Sequence, residues 1–389
     1  MQKSHRSPDM IDRILALTSS REYIKSSALP VVLYGMGNGA DRVLDEFQAH
    51  EIPVIGVTAS DDFVRGQTFR GFTVRKLSEF PAPFILCPCF GTQRKEVIEH
   101  IRNIIHSFEK NGCEMIYPVV PVIGEGIIDR EFIINHSGEI NACCALLDEK
   151  SKEIYENCIK FLFTGRPEYI FSADSEKEEI FTTLMRPGKS ESFLDIGAYR
   201  GDTVAEFLSF SGGNYSKITA LEPDSKTFTK LRENLSDLKN TYLLNAAASG
   251  FDGKTEFTQS NGRMSKIGKG QEADCVRADT PIKLREVDCV KVDTPYKGRE
   301  VDCVKVDTLY NENKFTYIKI DAEGEERNII LGAEKCLKEM KPKLNIALYH
   351  RSEDFFALPL LINSINPDYH FAVRKHPYLP CWDFNLYCY

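Results

Sequence analysis

The chain has 389 residues, with 49 Lys and Arg against 57 Asp and Glu, a formal net charge of −8. The length exceeds one ordinary domain and suits two, and the acidic balance excludes a protein that grips nucleic acid or an anionic membrane by general electrostatics. A composition of 42% hydrophobic and 27% charged residues excludes disorder, collagen and coiled coil.

The first 28 residues are polar and predict a tail or a loose helix. They hold no apolar leader, and no stretch of the chain approaches about 18 uninterrupted apolar residues, so a protein without an integral membrane segment, in the cytoplasm, is expected. Residues 29–118 read as a small Rossmann-like α/β domain. Val31 to Tyr34 form a buried strand running into Gly35, Gly37 and Gly39. A helix from Ala40 to His50 follows, with Val43, Leu44 and Phe47 on one face, and then a second apolar strand from Ile52 to Thr58. Strand, glycine turn, helix and strand make a βαβ unit and imply a parallel sheet. A strand at Phe84–Phe90 and a helix at Gln93–Lys110 continue the alternation. The GMGNGA turn imitates the dinucleotide fingerprint, but Ala40 stands where its third glycine would be, and the nearest acid after the second strand, Asp61, comes some residues late. A docking module or a lost site is therefore favoured over a working dinucleotide site.

Residues 119–190 open with prolines and glycines and contain one clear helix, Leu146–Phe163, which marks a partly helical connector. Its charged run, Asp174 to Glu179, is expected to be a solvated helix start. From 191 to 389 the alternation is cleaner. Strands are predicted at 191–197, 217–223, 241–248, 315–324, 344–349, 369–375 and 383–389. Helices lie between them at 202–210, 228–238, 326–340 and 352–365. The last two strands are joined too closely for a crossover and must be antiparallel. A seven-stranded sheet with an antiparallel last strand is a methyltransferase-type architecture rather than a dehydrogenase one.

A tandem repeat interrupts this second domain. Residues 273–286, 287–300 and 301–314 repeat with a period of fourteen, nine positions being identical between neighbouring copies. Solenoid periods are longer, so one copy is expected to serve the fold as a strand, with the other two a tolerated surface expansion. Of the twelve cysteines, Cys275, Cys289 and Cys303 are copied by the repeat, and a three-cysteine metal site there is disfavoured. No CxxC pair occurs, so the cysteines read as small hydrophobes of a reduced protein.

Three segments carry chemistry. In Phe193–Thr203 the apolar strand stops at Asp195, and Gly197 and Gly201 bracket a turn into a helix, where backbone approaches a ligand closely and helix N–H groups face an anionic moiety. Glu222 ends the next strand, where an acid accepts ribose hydroxyls. In Tyr317–Glu326, Asp321 and Glu323 flank a strand end at the edge where open α/β sheets bind ligands, and His350 ends the following strand at the same edge. Paired carboxylates with a histidine suit general-base work, orientation of a polar substrate, or a metal. Glu325 and Glu326 are read as caps complementing the helix dipole.

FLDIGAYRGDT, ALEPD, NAAAS, YIKIDAEGEE and YHRSEDFFALP stand in the order and spacing of the FkbM-family methyltransferases, which the region 190–389 resembles. The resemblance implies a class I methyltransferase that uses S-adenosylmethionine, most often on hydroxyls of sugars, polysaccharides or polyketides. It implies that Asp195, Gly197, Ala198, Tyr199, Gly201 and Thr203 cradle the methionine part of the cofactor. Glu222 would hold the ribose, and Asn245 and Ala246 would lie near the adenine. Asp321, Glu323 and His350 would face the acceptor, either directly or through a divalent metal, which nothing in the sequence supports. The family supplies the repeated segment once only. A glycan or small-molecule acceptor is expected and nucleic acid is not; the oligomeric state stays open, a homodimer included. A non-catalytic nucleotide-sugar-binding or regulatory protein of a glycan pathway is the alternative, and an NAD-dependent oxidoreductase using GMGNGA is a weaker one.

Overall fold

The computed structural model describes residues 9–108, 110–121, 127–259, 265–267 and 299–389. The chain opens with two short helices, α1 (Met10–Leu15) and α2 (Ser20–Ser26). Asp9 caps the first by accepting from the Asp12 amide, and Ser19 and Glu22 form a reciprocal capping box on the second. Here the expectation of a loose segment is corrected. Met10, Ile11 and Ile14 recur at helical spacing, and all three are buried in the main core.

The first sheet is built from β1 (Val31–Tyr34), α3 (Asn38–Ala49), β2 (Val54–Thr58), β3 (Thr68–Phe69), β4 (Phe72–Arg75), β5 (Ile85–Pro88), α4 (Lys95–Phe108) and β6 (Glu114–Met115). Its strand order is β3-β4-β2-β1-β5-β6. All pairs are parallel except β3 with β4. In the glycine turn a Cβ on Gly39 would stand 2.2 Å from the Cys89 carbonyl oxygen, so this glycine lets α3 lie close against the end of β5.

The connector is helical: α5 (Arg130–Asn135), α6 (Ser137–Leu146), α7 (Glu149–Thr164), α8 (Pro167–Ser172) and α9 (Lys177–Ile180). Helix α7 is its spine. Tyr155, Cys158, Phe161 and Phe163 are buried, and Gly165 ends the helix in the left-handed region. The run at 174–179 is not simply solvated. Asp174 accepts from the buried Lys375 ammonium at 2.5 Å, and Glu179 pairs with Lys150 at the same distance.

The second large sheet takes β7 (Ser192–Ile196), α10 (Asp202–Ser211), β8 (Lys217–Leu221), α11 (Ser225–Asn234) and β9 (Thr241–Leu244). The strand predicted over 241–248 breaks at Asn245. β10 (Ala246–Ala248) leaves this sheet for a four-stranded one with β11 (Gly253–Gln259), β12 (Ser265–Ile267) and β13 (Arg299–Val304), in the order β10-β13-β11-β12. The third repeat copy supplies most of β13 and the whole of α12 (Val306–Glu312). The earlier copies, apart from Arg299 and Glu300, lie outside the described residues, and so do Cys275 and Cys289.

β14 (Tyr317–Ile320), α13 (Glu326–Leu331), α14 (Glu334–Glu339), β15 (Lys343–Ala347), α15 (Asp354–Ile365), β16 (Phe371–Lys375) and β17 (Phe384–Cys388) complete the fold. The helix predicted over 326–340 divides at Gly332, where a Cβ would stand 2.4 Å from the Ser249 carbonyl oxygen. The sheet order is β16-β17-β15-β14-β7-β8-β9, with β17 antiparallel to both its neighbours, as the short final connection requires. The fold is thus α/β, a seven-stranded methyltransferase sheet beside a smaller Rossmann-like one.

One continuous core includes Leu86 of β5, Tyr155 of α7 and Leu344 of β15, so both sheets pack on the connector. Thr92 and Leu379 exchange backbone hydrogen bonds across the two halves at 2.8 and 2.9 Å. The ten described cysteines are free thiols, and burial pushes those of Cys143, Cys303 and Cys336 up to about 12. Among the described residues no helix is long and apolar enough to cross a membrane.

Ile14 is 0% exposed, whereas Ile55 on the first sheet's surface is 42% exposed. Ile14→Ala should therefore cost about 2–5 kcal/mol in urea unfolding and Ile55→Ala under about 1 kcal/mol. Equal, small costs would return α1 to the status of a loose tail.

Candidate active site

The site is assembled where β7, β8, β14 and β15 end at one edge of the large sheet. β7 runs into Gly197 (φ +76°), Tyr199 (φ +48°) and Gly201 (φ +89°). The N–H groups of Gly197 and Ala198 both donate to the Leu221 carbonyl at the end of β8, at 3.1 and 2.9 Å. Gly201 is the N-cap of α10 and brings no side-chain cap, so the first amides of that helix are left to a ligand or to water. Thr203 lies half-buried in its first turn. Gly197 is needed for a second reason: a Cβ there would stand 1.9 Å from the Asp321 carbonyl oxygen. The Asp321 amide in turn donates to the Ile196 carbonyl at 3.1 Å, so the glycine turn and the acidic strand end are locked to each other.

Asp195 is fully buried, and neither of its carboxylate oxygens has a hydrogen-bond partner. Burial pushes its carboxyl up to about 7, against the pull of the Lys319 ammonium and with the help of Asp202 and Asp321. Glu222 is 7% exposed. Its two oxygens accept from the backbone amides of Tyr199 at 3.0 Å and Asp224 at 2.8 Å. Burial raises it to about 7, with those two bonds opposing. Asn245 is exposed, but its amide is already committed, donating to the carbonyls of Glu222 (2.8 Å) and Pro223 (3.0 Å) while its oxygen accepts from Ser225 (2.7 Å). Ala246 is buried in β10 opposite Asp302. Tyr199 is half-exposed beside the turn.

The structure brings Asp321, Glu323 and His350 together. Their spacing follows from the parallel pairing of β14 with β15, which sets the Asp321 and His350 strand ends side by side. His350 Nε2 lies 3.5 Å from Asp321 Oδ1 and 3.6 Å from Glu323 Oε2. Glu323 reaches this position from a left-handed backbone (φ +51°), and Gly324 (φ +98°) completes the turn. Asp321 also accepts from the Lys319 ammonium at 3.0 Å and the Tyr349 hydroxyl at 3.1 Å. Burial alone would raise Asp321, but Lys319 and His350 outweigh it and hold the carboxyl down to about 2. Burial alone would lower His350, but Glu326, Asp321 and Glu323 lift it to about 9.

Glu326 is the residue that sequence reasoning assigned elsewhere. It does serve the turn, accepting from the Ala322 amide at 2.7 Å, yet the same oxygen lies 3.0 Å from His350 Nδ1, and both side chains are 1% exposed. Asp354, at the start of α15, is also drawn in: burial and Glu326 push it up to about 8. Lys319 carried a readable signal, since a lysine between Ile318 and Ile320 in a strand buried at every position must find anionic partners.

Residues 195–376 match the family model described as the Methyltransferase FkbM domain. This part of the chain is an FkbM methyltransferase domain. The crystal structure of Methyltransferase FkbM from Methylobacillus flagellatus KT superposes with a TM-score of 0.65 at 19% identity, over 98% of this chain and 94% of that one. The fold is therefore shared along the whole length, the first sheet included. An rRNA methylase from Streptococcus thermophilus aligns over 54% of this chain and 92% of that one, at 13% identity and a TM-score of 0.31. Aeropyrum pernix fibrillarin, solved with natively bound S-adenosyl-L-methionine, aligns over 55% of this chain and 73% of that one, at 10% identity and a TM-score of 0.32. No curated protein matches the sequence. The FkbM domain thus contains the glycine turn, Glu222 and the acidic cluster within its matched limits.

Gly197 and Gly213 share φ +76°, but a Cβ on Gly213 meets nothing within 4 Å. Comparing the two alanine variants isolates the contact from the backbone strain. Gly213→Ala should lose about 1–2 kcal/mol, and Gly197→Ala at least about 2 kcal/mol more, in chemical denaturation. Equal losses would mean that the Asp321 contact does not constrain the site.

Proposed function

We propose that the FkbM domain transfers a methyl group from S-adenosylmethionine to a hydroxyl of a sugar, polysaccharide or related natural product, in the cytoplasm. The observation that carries this reading is the buried, unpartnered Asp195 at a glycine turn that is bonded directly to the strand end holding Asp321. S-adenosylmethionine, when bound, supplies a methyl group already activated by its sulfonium.

The residues present fit such a cofactor. Two orphaned oxygens on a buried carboxylate call for a donor, and the uncapped start of α10 calls for an acceptor; an amino-acid moiety has both. In this reading Asp195, Gly197, Ala198, Tyr199, Gly201 and Thr203 hold the methionine part. Glu222 holds the ribose: each of its oxygens accepts one amide bond and keeps further acceptor capacity for a hydroxyl. With the Asn245 side chain committed to two carbonyls, contact with an adenine falls to the Asn245–Ala246 backbone.

The protein's remaining work is alignment and removal of the acceptor hydroxyl's proton. Asp321, Glu323 and His350 are the groups for it. Asp321 stays ionised across the physiological range and is fixed by Lys319 and Tyr349, so it orients a hydroxyl as well as attracting its proton. The half-exposed edges of Asp321 and Glu323 suit a neutral polyhydroxyl acceptor, and the net charge of −8 weighs against a nucleic acid.

The test is calorimetry with S-adenosylhomocysteine, together with transfer of labelled methyl into host polysaccharide. Glu222→Gln should weaken cofactor binding about tenfold or more, and Asp321→Asn should lower the transfer rate about 10²-fold or more with cofactor affinity kept. A flat calorimetric titration of the wild type would end the reading. The pH dependence has a definite sign. Ribose hydroxyls donate best to a carboxylate, so a Glu222 raised to about 7 must lose its proton on binding. Affinity should therefore rise from pH 6 to 8 and level off above, and Glu222→Gln should remove the part of this rise that Asp195 does not contribute.

A further inference from the structure

His350 is enclosed by acids in a way that neither hydrogen bonding nor helix capping explains. Its Nδ1 lies 3.0 Å from Glu326 Oε1, and its Nε2 lies 3.5 Å from Asp321 Oδ1 and 3.6 Å from Glu323 Oε2. Despite these distances, neither ring nitrogen makes an aligned hydrogen bond, and Glu326 Oε2 has no partner either. Both side chains are only 1% exposed, so water does not compensate them. Three carboxylates thus converge on one ring, with a fourth, Asp354, buried beside Glu326. On the other side Lys319 is turned to Asp321 Oδ2, away from the oxygen that faces the histidine.

We propose that Asp321, Glu326 and His350 form a binding site for one divalent cation. One donor atom from each lies within 4.8 Å of the others. Two ligands on opposite sides of a cation at about 2.1 Å stand about 4.2 Å apart, so a pair at the 4.8 Å limit must close by about half an ångström, and a single ring nitrogen of His350 must serve both carboxylates. Two carboxylates and one imidazole suit Mn²⁺, Fe²⁺ or Zn²⁺ better than an all-oxygen cage suited to Ca²⁺. Lys319 holds Asp321 from behind through Oδ2, and the Tyr349 hydroxyl spans both of its oxygens at 3.1 and 3.3 Å, as outer partners of metal ligands do. The exposure is also asymmetric: Glu326 and His350 are closed in, whereas the Asp321 side chain is 31% exposed. The site is open on the side of Asp321 and Glu323, which leaves coordination positions for an acceptor hydroxyl. A cation at this point favours loss of that hydroxyl's proton by stabilising the charge left on oxygen. The inference rests on the methyl-transfer reading only for this last role; cation binding itself does not depend on it.

The experiment uses the full chain, stripped with a chelator and titrated with MnCl₂, free Mn²⁺ being read by its electron paramagnetic resonance signal. One Mn²⁺ per chain at micromolar concentration is expected, displaceable by Zn²⁺. His350→Ala and Glu326→Gln should each weaken binding at least tenfold, with Glu99→Gln on the surface of α4 unchanged. Should the two buried variants fail to fold by circular dichroism, Asp321→Asn at the half-exposed position carries the same expectation. No Mn²⁺ or Zn²⁺ binding by the wild type, or binding indifferent to all three variants, overturns the site and leaves a protonated His350 as the cluster's own cation. Calorimetry with S-adenosylhomocysteine on the same samples separates the two readings. Nucleoside binding without Mn²⁺ sinks the cation site alone, and Mn²⁺ binding without the nucleoside sinks the methyl-transfer reading alone.

Discussion

The constraint on which the site depends is the register between β7 and β14, which sets Lys319 directly across from Asp195. Both stand on strands, β7 and β14, that are buried at every position, and neither charge is tolerable there alone. The lysine divides its attention. It bonds Asp321 at 3.0 Å but only exerts a field on Asp195. Burial works against its charge, yet the two acids keep it protonated. One cation therefore leaves two acids in different conditions, Asp321 firmly ionised and Asp195 poised near neutrality with both oxygens unpartnered. That inequality separates an acid fixed by its partners from an acid left without any.

The same economy of contact governs the turns. At Gly197 the first and fourth strands of the βα series approach so closely that a single Cβ would collide with a carbonyl. The approach is secured by the Asp321 amide bonding to Ile196 and by the Gly197 and Ala198 amides bonding to Leu221. Three strand ends are thereby tied through backbone groups alone, and the functional side chains project from positions they do not themselves have to hold. Backbone fixation of this kind is what a site needs if its geometry is to be kept within tenths of an ångström.

Much of this was legible in the sequence because it is local. Strand, glycine turn and helix at Phe193–Ser211, the Glu222 strand end, and the antiparallel closing pair all follow from periodicity and punctuation within some twenty residues. Asp321, Glu323 and His350 could be placed at one sheet edge for the same reason. Glu326 could not. Its local role, accepting the Ala322 amide, is the capping role its position announces, and its second role toward His350 spans 24 residues and depends on the register of β14 with β15. The break at Asn245 was hidden likewise, because Tyr242 to Ala248 reads as one apolar strand. Only the partner strand β13, built largely from the third repeat copy, shows why Ala246–Ala248 turns away. The burial of α1 was not legible because its three buried apolar residues stand in a polar stretch, and a six-residue helix gives too short a period to read with force.

The first sheet gains a physical role from this arrangement. Its glycine turn is filled from within, since Gly39 abuts the Cys89 carbonyl and Gly35 lies against the ring of Phe90. Immediately after β5, Gly91 lies under the Trp382 ring, so close that a Cβ would fall 2.1 Å from it, and Thr92 bonds Leu379 in both directions. These contacts seat the end of β5 on the loop between β16 and β17, the pair that follows the His350 strand end in the sheet. The connector reinforces the joint from the other side: Ser151 of α7 accepts from the Val373 amide and from the buried Arg374 guanidinium. A module held by both backbone bridges and a shared apolar core cannot swing as a hinged domain would without breaking that core. Its glycines therefore act as spacers that allow close packing, and the closing strands it braces pair with β15, the strand that leads to His350.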